Sequence, residues 1–222
     1  NKYLDTFYSV IFMNSFIEKY GAGPIFIVGS ILVGILAIGG LVALRGDDAT
    51  SVEQEYIDIA NQVGLNQEQF LTDFRGEEVK QIVEDQKNDA LIRLNGNAAT
   101  PSIFLDGERA EIADFSTYKA VLQPMVNALE EGGKVKMEIF EDYNCPSCAN
   151  FYPISYQLKA EFGDKLDLQH KNLPFLKPTS TSYARAAEAA RKQDKIYEYS
   201  RALFEKIHGK QYVELDGLQI SE

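Results

Sequence analysis

The chain has 222 residues, of which 45% are hydrophobic, and a formal net charge of −11 at pH 7. A chain of this length can form one large domain or two small ones. The acidic charge, together with the lack of any stripe of basic and aromatic side chains, argues against a nucleic-acid-binding surface.

The N-terminal part of the chain carries a membrane signature. Residues 1–23 are amphipathic and aromatic, which is typical of a juxtamembrane segment. Residues 24–44 carry no charge, and as a helix they would extend about 31 Å, close to the roughly 30 Å of a bilayer core. This run is longer than the apolar part of a cleaved signal peptide. We therefore predict a single transmembrane helix over residues 24–44, followed by a polar linker over residues 45–52.

The charges that flank this segment predict its orientation. Lys2 and Lys19 precede the predicted span, whereas Arg45 follows it together with Asp47 and Asp48. Because positive charge concentrates on the cytoplasmic side, the N-terminus is expected in the cytoplasm. The predicted localisation is a single-pass protein of a bacterial-type cell envelope, with its C-terminal portion on the oxidising, extracytoplasmic side of the membrane.

Residues 53–130 are predicted to be mostly helical, with one β-hairpin. The helices follow from apolar side chains at helical spacing, and the hairpin follows from an Asp-Gly pair between two strand-like runs. The predicted elements are a helix over residues 53–63, a short helix after Asn66, a longer helix over residues 77–94, strands over residues 102–105 and 109–112, and a final helix capped by Ser116.

Residues 134–222 begin with a strand, a cysteine pair and a helix. Alternating apolar residues predict a strand over residues 134–140, and residues 149–162 are helix-like. Between them lies Cys145-Pro146-Ser147-Cys148, which contains both cysteines of the chain. The later predicted elements are a strand over residues 166–172 and helices over residues 181–192 and 194–207, and residues 130–133 form a flexible joint to the preceding half.

A strand, a Cys-x-x-Cys motif and a helix in this order indicate a dithiol redox site. Cys145 would lie at the helix N-terminus, where unpaired N–H groups and the helix dipole stabilise a thiolate, and Pro146 suits the first helical turn. Zinc would need four ligands, and only His170 and His208 accompany the cysteines. A structural disulfide around a two-residue loop would add little stability. We therefore predict redox chemistry and no metal site.

Four stretches of the sequence resemble the DsbA-like branch of the thioredoxin superfamily. The family's strand, cysteine motif and aromatic helix start are matched by MEIFEDYNCPSCANFYP. Its cis-proline loop and hairpin are matched by NAATPSIFLDGERA, and its helical segments by ANQVGLNQEQF and YARAAEAARKQDKIYEYSRALFEK. The resemblance covers residues 53–209. It implies an α/β, thioredoxin-like fold with a helical insertion, and protein-disulfide oxidoreductase activity.

The order of the two halves departs from this family. There the Cys-x-x-Cys half comes first, whereas here Thr100-Pro101 precedes Cys145. Three arrangements fit this order: a circular permutant, a homodimer that swaps residues 53–130 between chains, and two incomplete half-domains that need a partner. A joint at residues 130–133 can span about 13 Å, and domain termini often lie close together. These distances favour the permutant.

The resemblance implies a role for each candidate site residue. Cys145 would be the attacking sulfur and Cys148 the buried resolving sulfur, with Pro146 and Ser147 between them. Pro101, if cis, would hold the Thr100 backbone against the sulfurs, so that an extended substrate pairs with it like a strand. The alternative for Thr100-Pro101 is an ordinary proline at the entry to a strand. No bound cofactor is implied, because the disulfide itself is the redox group.

The carboxylates before the cysteines leave a question about proton transfer. Many members of the resembled family carry a glutamate six residues before the first cysteine, which is implied to act as a proton relay. Ile139 occupies that position here, and Glu138 is expected on the opposite face of the strand. Glu141 and Asp142 lie nearer to the cysteines and either take over this role or are solvated.

These features together predict a membrane-anchored thiol–disulfide oxidoreductase that acts on extracytoplasmic protein thiols. An oxidase would need a quinone-linked membrane partner to reoxidise it, which the resemblance implies. Two other functions stay open, namely an extracytoplasmic reductase of similar fold and a redox-inert, membrane-anchored scaffold or assembly subunit. A redox potential measured against glutathione would separate the oxidase from the reductase.

Overall fold

The structure of the protein is a computed structural model that describes residues 53–212. The predicted juxtamembrane segment, the predicted span over residues 24–44 and the linker lie outside the described residues. Within residues 53–212, no helix combines the length and the apolar character that crossing a membrane requires.

The described residues contain seven helices and four strands. The elements are α1 (residues 53–62), α2 (Gln67–Arg75), α3 (Glu77–Arg93), β1 (Ser102–Leu105), β2 (Glu108–Ala110), α4 (Phe115–Asn127), β3 (Val135–Glu141), α5 (Pro146–Phe162), a 3-10 turn (Gly163–Lys165), β4 (Leu166–Asn172), α6 (Ser180–Arg191) and α7 (Ile196–His208).

The four strands form one sheet in the order β2-β1-β3-β4. β1 is antiparallel to both β2 and β3, whereas β3 and β4 are parallel and are connected through α5. A parallel pair needs such a crossover, because its strands must start at the same edge of the sheet. Ile103 pairs with Ile139, and Ile139 pairs with His170 on its other side. The hairpin and the strand that leads to the cysteines are therefore neighbours in the sheet.

The predicted hairpin turn is present, but its second strand is shorter than predicted. Asp106 and Gly107 both have positive φ, 46° and 91°, which is the geometry of the tight turn that Asp-Gly favours. β2 ends at Ala110 rather than at residue 112. The Asp106 carboxylate accepts a 2.8 Å hydrogen bond from the Lys136 N–H, so this turn is also attached to β3.

The prediction that Ser116 caps the last helix of the first half is wrong. α4 begins at Phe115, and its N-cap is Asp114, whose carboxylate accepts from the Thr117 N–H at 2.8 Å. The Ser116 hydroxyl donates to the same carboxylate at 2.9 Å. These hydrogen bonds lower the pKa of Asp114, with that from the Thr117 N–H first among them. A carboxylate two residues earlier therefore takes the capping position.

β3 separates two parts of the core. Val135, Met137 and Ile139 are buried in the cluster that α4 and α5 close. Glu138 and Phe140 face α3, where Phe140 packs in a second cluster with residues of α3 and β1. Side chains alternate between the faces of a strand, so each face of β3 contacts a different helical layer.

Glu138 lies on the α3 face, away from the α5 side, as predicted. Its carboxylate lies 3.0 Å from the Arg93 guanidinium, 2.7 Å from the Lys171 amine and 3.0 Å from the Lys136 amine. Burial alone would raise the pKa of Glu138, but the hydrogen bonds from these three cations outweigh burial and hold it at about 2. Glu138 is therefore committed to an ion cluster and is not available to the cysteines.

The helices from the two ends of the described chain share one core. α1 and α2, which precede the hairpin, pack against α6 and α7, which follow the cysteines. The ring of Tyr199 in α7 packs at a tilt against that of Phe70 in α2, with 5.4 Å between centroids, and the Tyr199 hydroxyl donates to the Tyr56 carbonyl of α1. Cys145 and Cys148 belong to the same cluster. This helical layer therefore covers one side of the cysteine motif.

Candidate active site

Cys145 lies at the N-cap of α5, as the motif predicts. β3 ends at Glu141, and a turn closed by a 2.9 Å hydrogen bond from the Cys145 N–H to the Asp142 carbonyl brings Cys145 to the helix start. Pro146 occupies the first helical turn, where a missing N–H removes no helical hydrogen bond. The Cys148 N–H points back at the Cys145 sulfur, 3.4 Å away. The first turn of α5 therefore presents backbone donors to this sulfur.

The Thr100–Pro101 loop lies against the same sulfur. The peptide between Thr100 and Pro101 is cis, as predicted, and Pro101 is buried. The Cys145 sulfur lies 3.3 Å from the Thr100 carbonyl oxygen, although the two residues are 45 positions apart in the chain. β1 begins at Ser102, directly after Pro101, and Ser102 pairs with Phe140 of β3. Pairing between β1 and β3 therefore holds the loop beside Cys145.

The two sulfurs have opposite electrostatic environments. The hydrogen bond from the Cys148 thiol is the largest cause that lowers the pKa of Cys145, to about 5, and the N–H groups of Cys148 and Ser147 add to it against the effect of burial. Burial raises the pKa of Cys148 well above its usual range, and the hydrogen bond to Cys145 raises it further. At neutral pH, Cys145 is a thiolate and Cys148 a thiol, which is the division of roles expected for an attacking and a resolving sulfur.

The exposure of the motif matches this division. Pro146 and Ser147 are exposed, whereas Cys148 is 1% exposed and Cys145 6%. Both cysteines are free thiols in this structure. Of the two cysteines, Cys145 is therefore the more exposed, and the exposed Pro146 and Ser147 follow it directly.

Asp142 is buried, so of the two alternatives given for this carboxylate, solvation is wrong. Its carboxylate connects the turn before Cys145 to the loop that follows β4. The four groups that donate to its carboxylate, at 2.8–2.9 Å, are the N–H groups of Asn144, Phe175 and Leu176 and the hydroxyl of Ser180. Because one carboxylate accepts from all four donors, Asp142 holds the two segments together.

Glu141 is also buried rather than solvated, and its partner is a histidine. A carboxylate oxygen of Glu141 lies 3.1 Å from Nδ1 of His170, and Nε2 of that ring lies 3.1 Å from the Ser155 hydroxyl. β4 carries His170 and α5 carries Ser155, so the group lies between the sheet and the active-site helix. The charge of Glu141 contributes to the raised pKa of Cys148.

The two histidines are therefore engaged away from the sulfurs. His170 contacts Glu141 and Ser155, and Nε2 of His208 lies 2.8 Å from the Tyr143 carbonyl. Within residues 53–212, no group of three or more histidine, cysteine or carboxylate side chains is arranged to hold a metal ion.

Two exposed apolar residues beside the site were not singled out from the sequence. Phe175 and Leu176 are 41% and 43% exposed, and Asp142 binds both of their backbone N–H groups. Their sequence signal is a pair of large apolar residues between Pro174 and Pro178, in a segment that reads as a loop. Asp142 attaches them to the turn before Cys145, and the sequence does not connect Asp142 to them.

Comparison with known proteins concerns the second half of the chain. No curated protein matches the sequence. A family model described as thioredoxin matches residues 130–217. This range begins at the predicted joint and includes β3, the cysteine motif, α5, β4, α6 and α7. The match, together with the parallel β3–β4 pair and the cysteine motif at the N-terminus of α5, supports a thioredoxin-superfamily domain in this chain.

Proposed function

We propose that the protein is a membrane-anchored, DsbA-like oxidoreductase that exchanges disulfides with extracytoplasmic protein substrates through Cys145 and Cys148. The observation that carries this proposal is the pairing of a low-pKa sulfur at a helix N-cap with a buried second thiol, beside the Thr100 carbonyl. The test is catalysed disulfide formation in a reduced, unfolded polypeptide, with wild-type protein compared with a Cys145→Ser variant.

The reaction starts from a disulfide between the two cysteines. A substrate thiolate attacks the Cys145 sulfur, the bond to Cys148 breaks, and Cys148 leaves as a thiolate that takes up a proton. A second substrate thiolate then attacks the substrate sulfur of this mixed disulfide, and Cys145 leaves as a thiolate. Two electrons pass from the substrate dithiol to the protein. A membrane electron acceptor of the quinone-linked class would restore the disulfide.

The pKa of Cys145 favours oxidation of substrates over their reduction. A thiolate of low pKa is a good leaving group in the second step. It also stabilises the reduced protein, which makes the corresponding disulfide more oxidising. The Thr100 carbonyl, next to Cys145, is placed to accept a backbone hydrogen bond from an extended substrate, as an added strand would do. Pro146 and Ser147, both exposed, would lie under the same substrate.

We further propose that the domain is a circular permutant closed within one chain, and not a swapped homodimer. Continuous pairing of β1 with β3 and the 3.3 Å approach of Thr100 to Cys145 support this arrangement. The family match begins at residue 130, as is expected when the two halves of the domain stand in reversed order, whether in a permutant or in a swap.

A mixing experiment separates the permutant from the swap. One inactive variant carries Cys145→Ser and another carries Pro101→Ala, which damages the loop and leaves the cysteines intact. In a permutant, a mixture of the two chains stays as inactive as its components, since each domain contains its own defect. In a swapped homodimer, unfolding and refolding the mixture would restore part of the activity, and that result would contradict the proposal.

We also propose that Cys145 faces the extracytoplasmic side of the membrane, as the flanking charges of residues 24–44 predict. A Cys148→Ser variant leaves Cys145 as the single cysteine of the chain. A membrane-impermeant maleimide added to intact cells is expected to label this variant fully, and the Cys145→Ser, Cys148→Ser double variant controls for background labelling. Protection of Cys145 until the cells are lysed would reverse the topology.

A further inference from the structure

The end of the described chain returns to the first turn of the active-site helix. After α7 ends, residues 209–212 run beside α5, and three side chains of this region contact residues that flank the cysteine motif. Their contacts are His208 Nε2 to the Tyr143 carbonyl at 2.8 Å, the Lys210 amine to the Asn150 side-chain oxygen at 2.7 Å, and the Tyr212 hydroxyl to the Ala149 carbonyl at 2.7 Å.

The Tyr212 hydroxyl replaces a backbone hydrogen bond that Pro153 removes from α5. In an α-helix, the carbonyl of Ala149 accepts from the N–H four residues later, and that residue is Pro153, which has no N–H. Ala149 is fully buried and directly follows Cys148. Buried carbonyls without a partner are costly, so an external donor is needed at this point. The Tyr212 hydroxyl provides it.

Tyr212 is itself held in place. Its N–H donates to the Glu205 carboxylate at 2.9 Å, and its carbonyl accepts from the Arg201 guanidinium at 2.6 Å. Its ring packs against Tyr152 of α5, with 5.7 Å between centroids. Contacts with α7 and α5 therefore hold Tyr212 in place, and its hydroxyl in turn holds the Ala149 carbonyl.

We propose that Tyr212 is a positioning residue of the dithiol, which fixes the first turn of α5 by replacing the helical hydrogen bond that Pro153 removes. Within that turn, the Ala149 N–H donates to the Cys145 carbonyl at 3.1 Å, and the Cys148 N–H points at the Cys145 sulfur. Loss of the Tyr212 hydroxyl frees the turn. The donors from Cys148 then spend less time near the sulfur, and the thiolate loses stabilisation. This inference deepens the proposed function, on which its biological meaning rests.

The test is the pH profile of alkylation of the reduced protein by iodoacetamide. Wild-type Cys145 is expected to reach half of its maximal rate at about pH 5. Tyr212→Phe keeps the ring and removes the hydroxyl. Its midpoint is expected to rise by roughly half a pH unit, so that the fraction of Cys145 present as a thiolate at about pH 5 falls roughly two-fold.

Tyr118→Phe is the matched control. The Tyr118 hydroxyl also donates to a backbone carbonyl at 2.7 Å, that of Glu111, but this bond joins α4 to the chain after β2. This variant is expected to lower the thermal midpoint about as much as Tyr212→Phe and to leave the alkylation profile unchanged. A merely structural role for Tyr212 would give the two variants the same alkylation profile, and that result would overturn the proposal.

A second substitution tests the route through Ala149. Pro153→Ala in the Tyr212→Phe background restores an N–H that can bond to the Ala149 carbonyl, so the alkylation midpoint is expected to return toward the wild-type value. An unrescued double variant would overturn the proposal. Alkylation does not require turnover, so failure of the wild-type protein to oxidise substrates would refute the proposed function and leave the test of Tyr212 intact.

Discussion

Replacing Cys145 with serine is expected to lower the rate of disulfide exchange with a reduced, unfolded polypeptide by on the order of 1,000-fold or more. The reason is that Cys145 is the sulfur with the low pKa beside the exposed Pro146 and Ser147, and a serine hydroxyl neither forms a disulfide nor leaves as a thiolate. The rate is measured from loss of free substrate thiols.

Replacing Cys148 with serine is expected to have a different effect from replacing Cys145. The Cys145 thiolate of this variant can attack a disulfide of an oxidised substrate, which releases one substrate thiolate and forms a mixed disulfide, but no Cys148 thiol is present to displace the remaining substrate sulfur. Covalent adducts with an oxidised substrate polypeptide should therefore accumulate, and they are measured by non-reducing electrophoresis and intact mass. Val121→Ala, at an exposed position on α4, serves as a control for handling and should match the wild type.

The two cysteine variants also define what would contradict the proposed chemistry. Wild-type rates for both would exclude a dithiol mechanism through Cys145 and Cys148. Accumulation of adducts with Cys145→Ser, in place of Cys148→Ser, would exchange the roles of the two sulfurs. It would also contradict the assignment of the buried, high-pKa thiol as the resolving group.

Replacing Asp142 with alanine is expected to cost about 3–5 kcal/mol of the free energy of unfolding. Asp142 is 1% exposed, and its carboxylate accepts four hydrogen bonds, three of them from backbone N–H groups. Alanine would leave these donors without a partner in a buried place. The loss is measured from the urea midpoint at constant slope.

Two further variants make the Asp142 prediction specific. Asp142→Asn preserves the size but turns one acceptor atom into an NH₂ group that faces donors, so it is expected to lose nearly as much stability as alanine. Asp114→Ala removes an exposed carboxylate that caps α4 and is expected to cost clearly less. An Asp142→Ala variant with the wild-type urea midpoint would mean that other contacts hold the loop after β4.

The chemistry of the cysteine motif follows from local sequence. Alternating apolar residues before Cys145 predict the end of β3 to within a residue, and the helix-like run after Cys148 predicts the end of α5, which begins three residues before that run. Cys145 therefore lies at a helix N-cap whatever the rest of the chain does, because capping depends on residues within one turn. The Asp-Gly turn between β1 and β2 is predictable for the same reason.

The environment of each carboxylate before Cys145 depends on residues that are distant in the sequence. Glu138, Glu141 and Asp142 are close together in the sequence, yet each has a different environment. Glu138 pairs with cations from α3, β3 and β4, Glu141 pairs with His170, and Asp142 binds the loop after β4. Alternation along β3 predicts the side on which Glu138 lies, but burial by another segment decides the partner in each case.

The sequence alone determined the redox motif, the position of Cys145 at the start of a helix and the turn of the hairpin, because all of these depend on neighbours in the chain. The family resemblance predicts that Thr100 meets Cys145, but only the tertiary structure shows how, since pairing of β1 with β3 brings together residues 45 positions apart. The tertiary structure also decided that Tyr212 supplies the donor that Pro153 removes, 59 residues earlier in the chain. The sequence shows that Pro153 cannot donate a backbone hydrogen bond. Only the packing of α7 against α5 shows which group donates in its place.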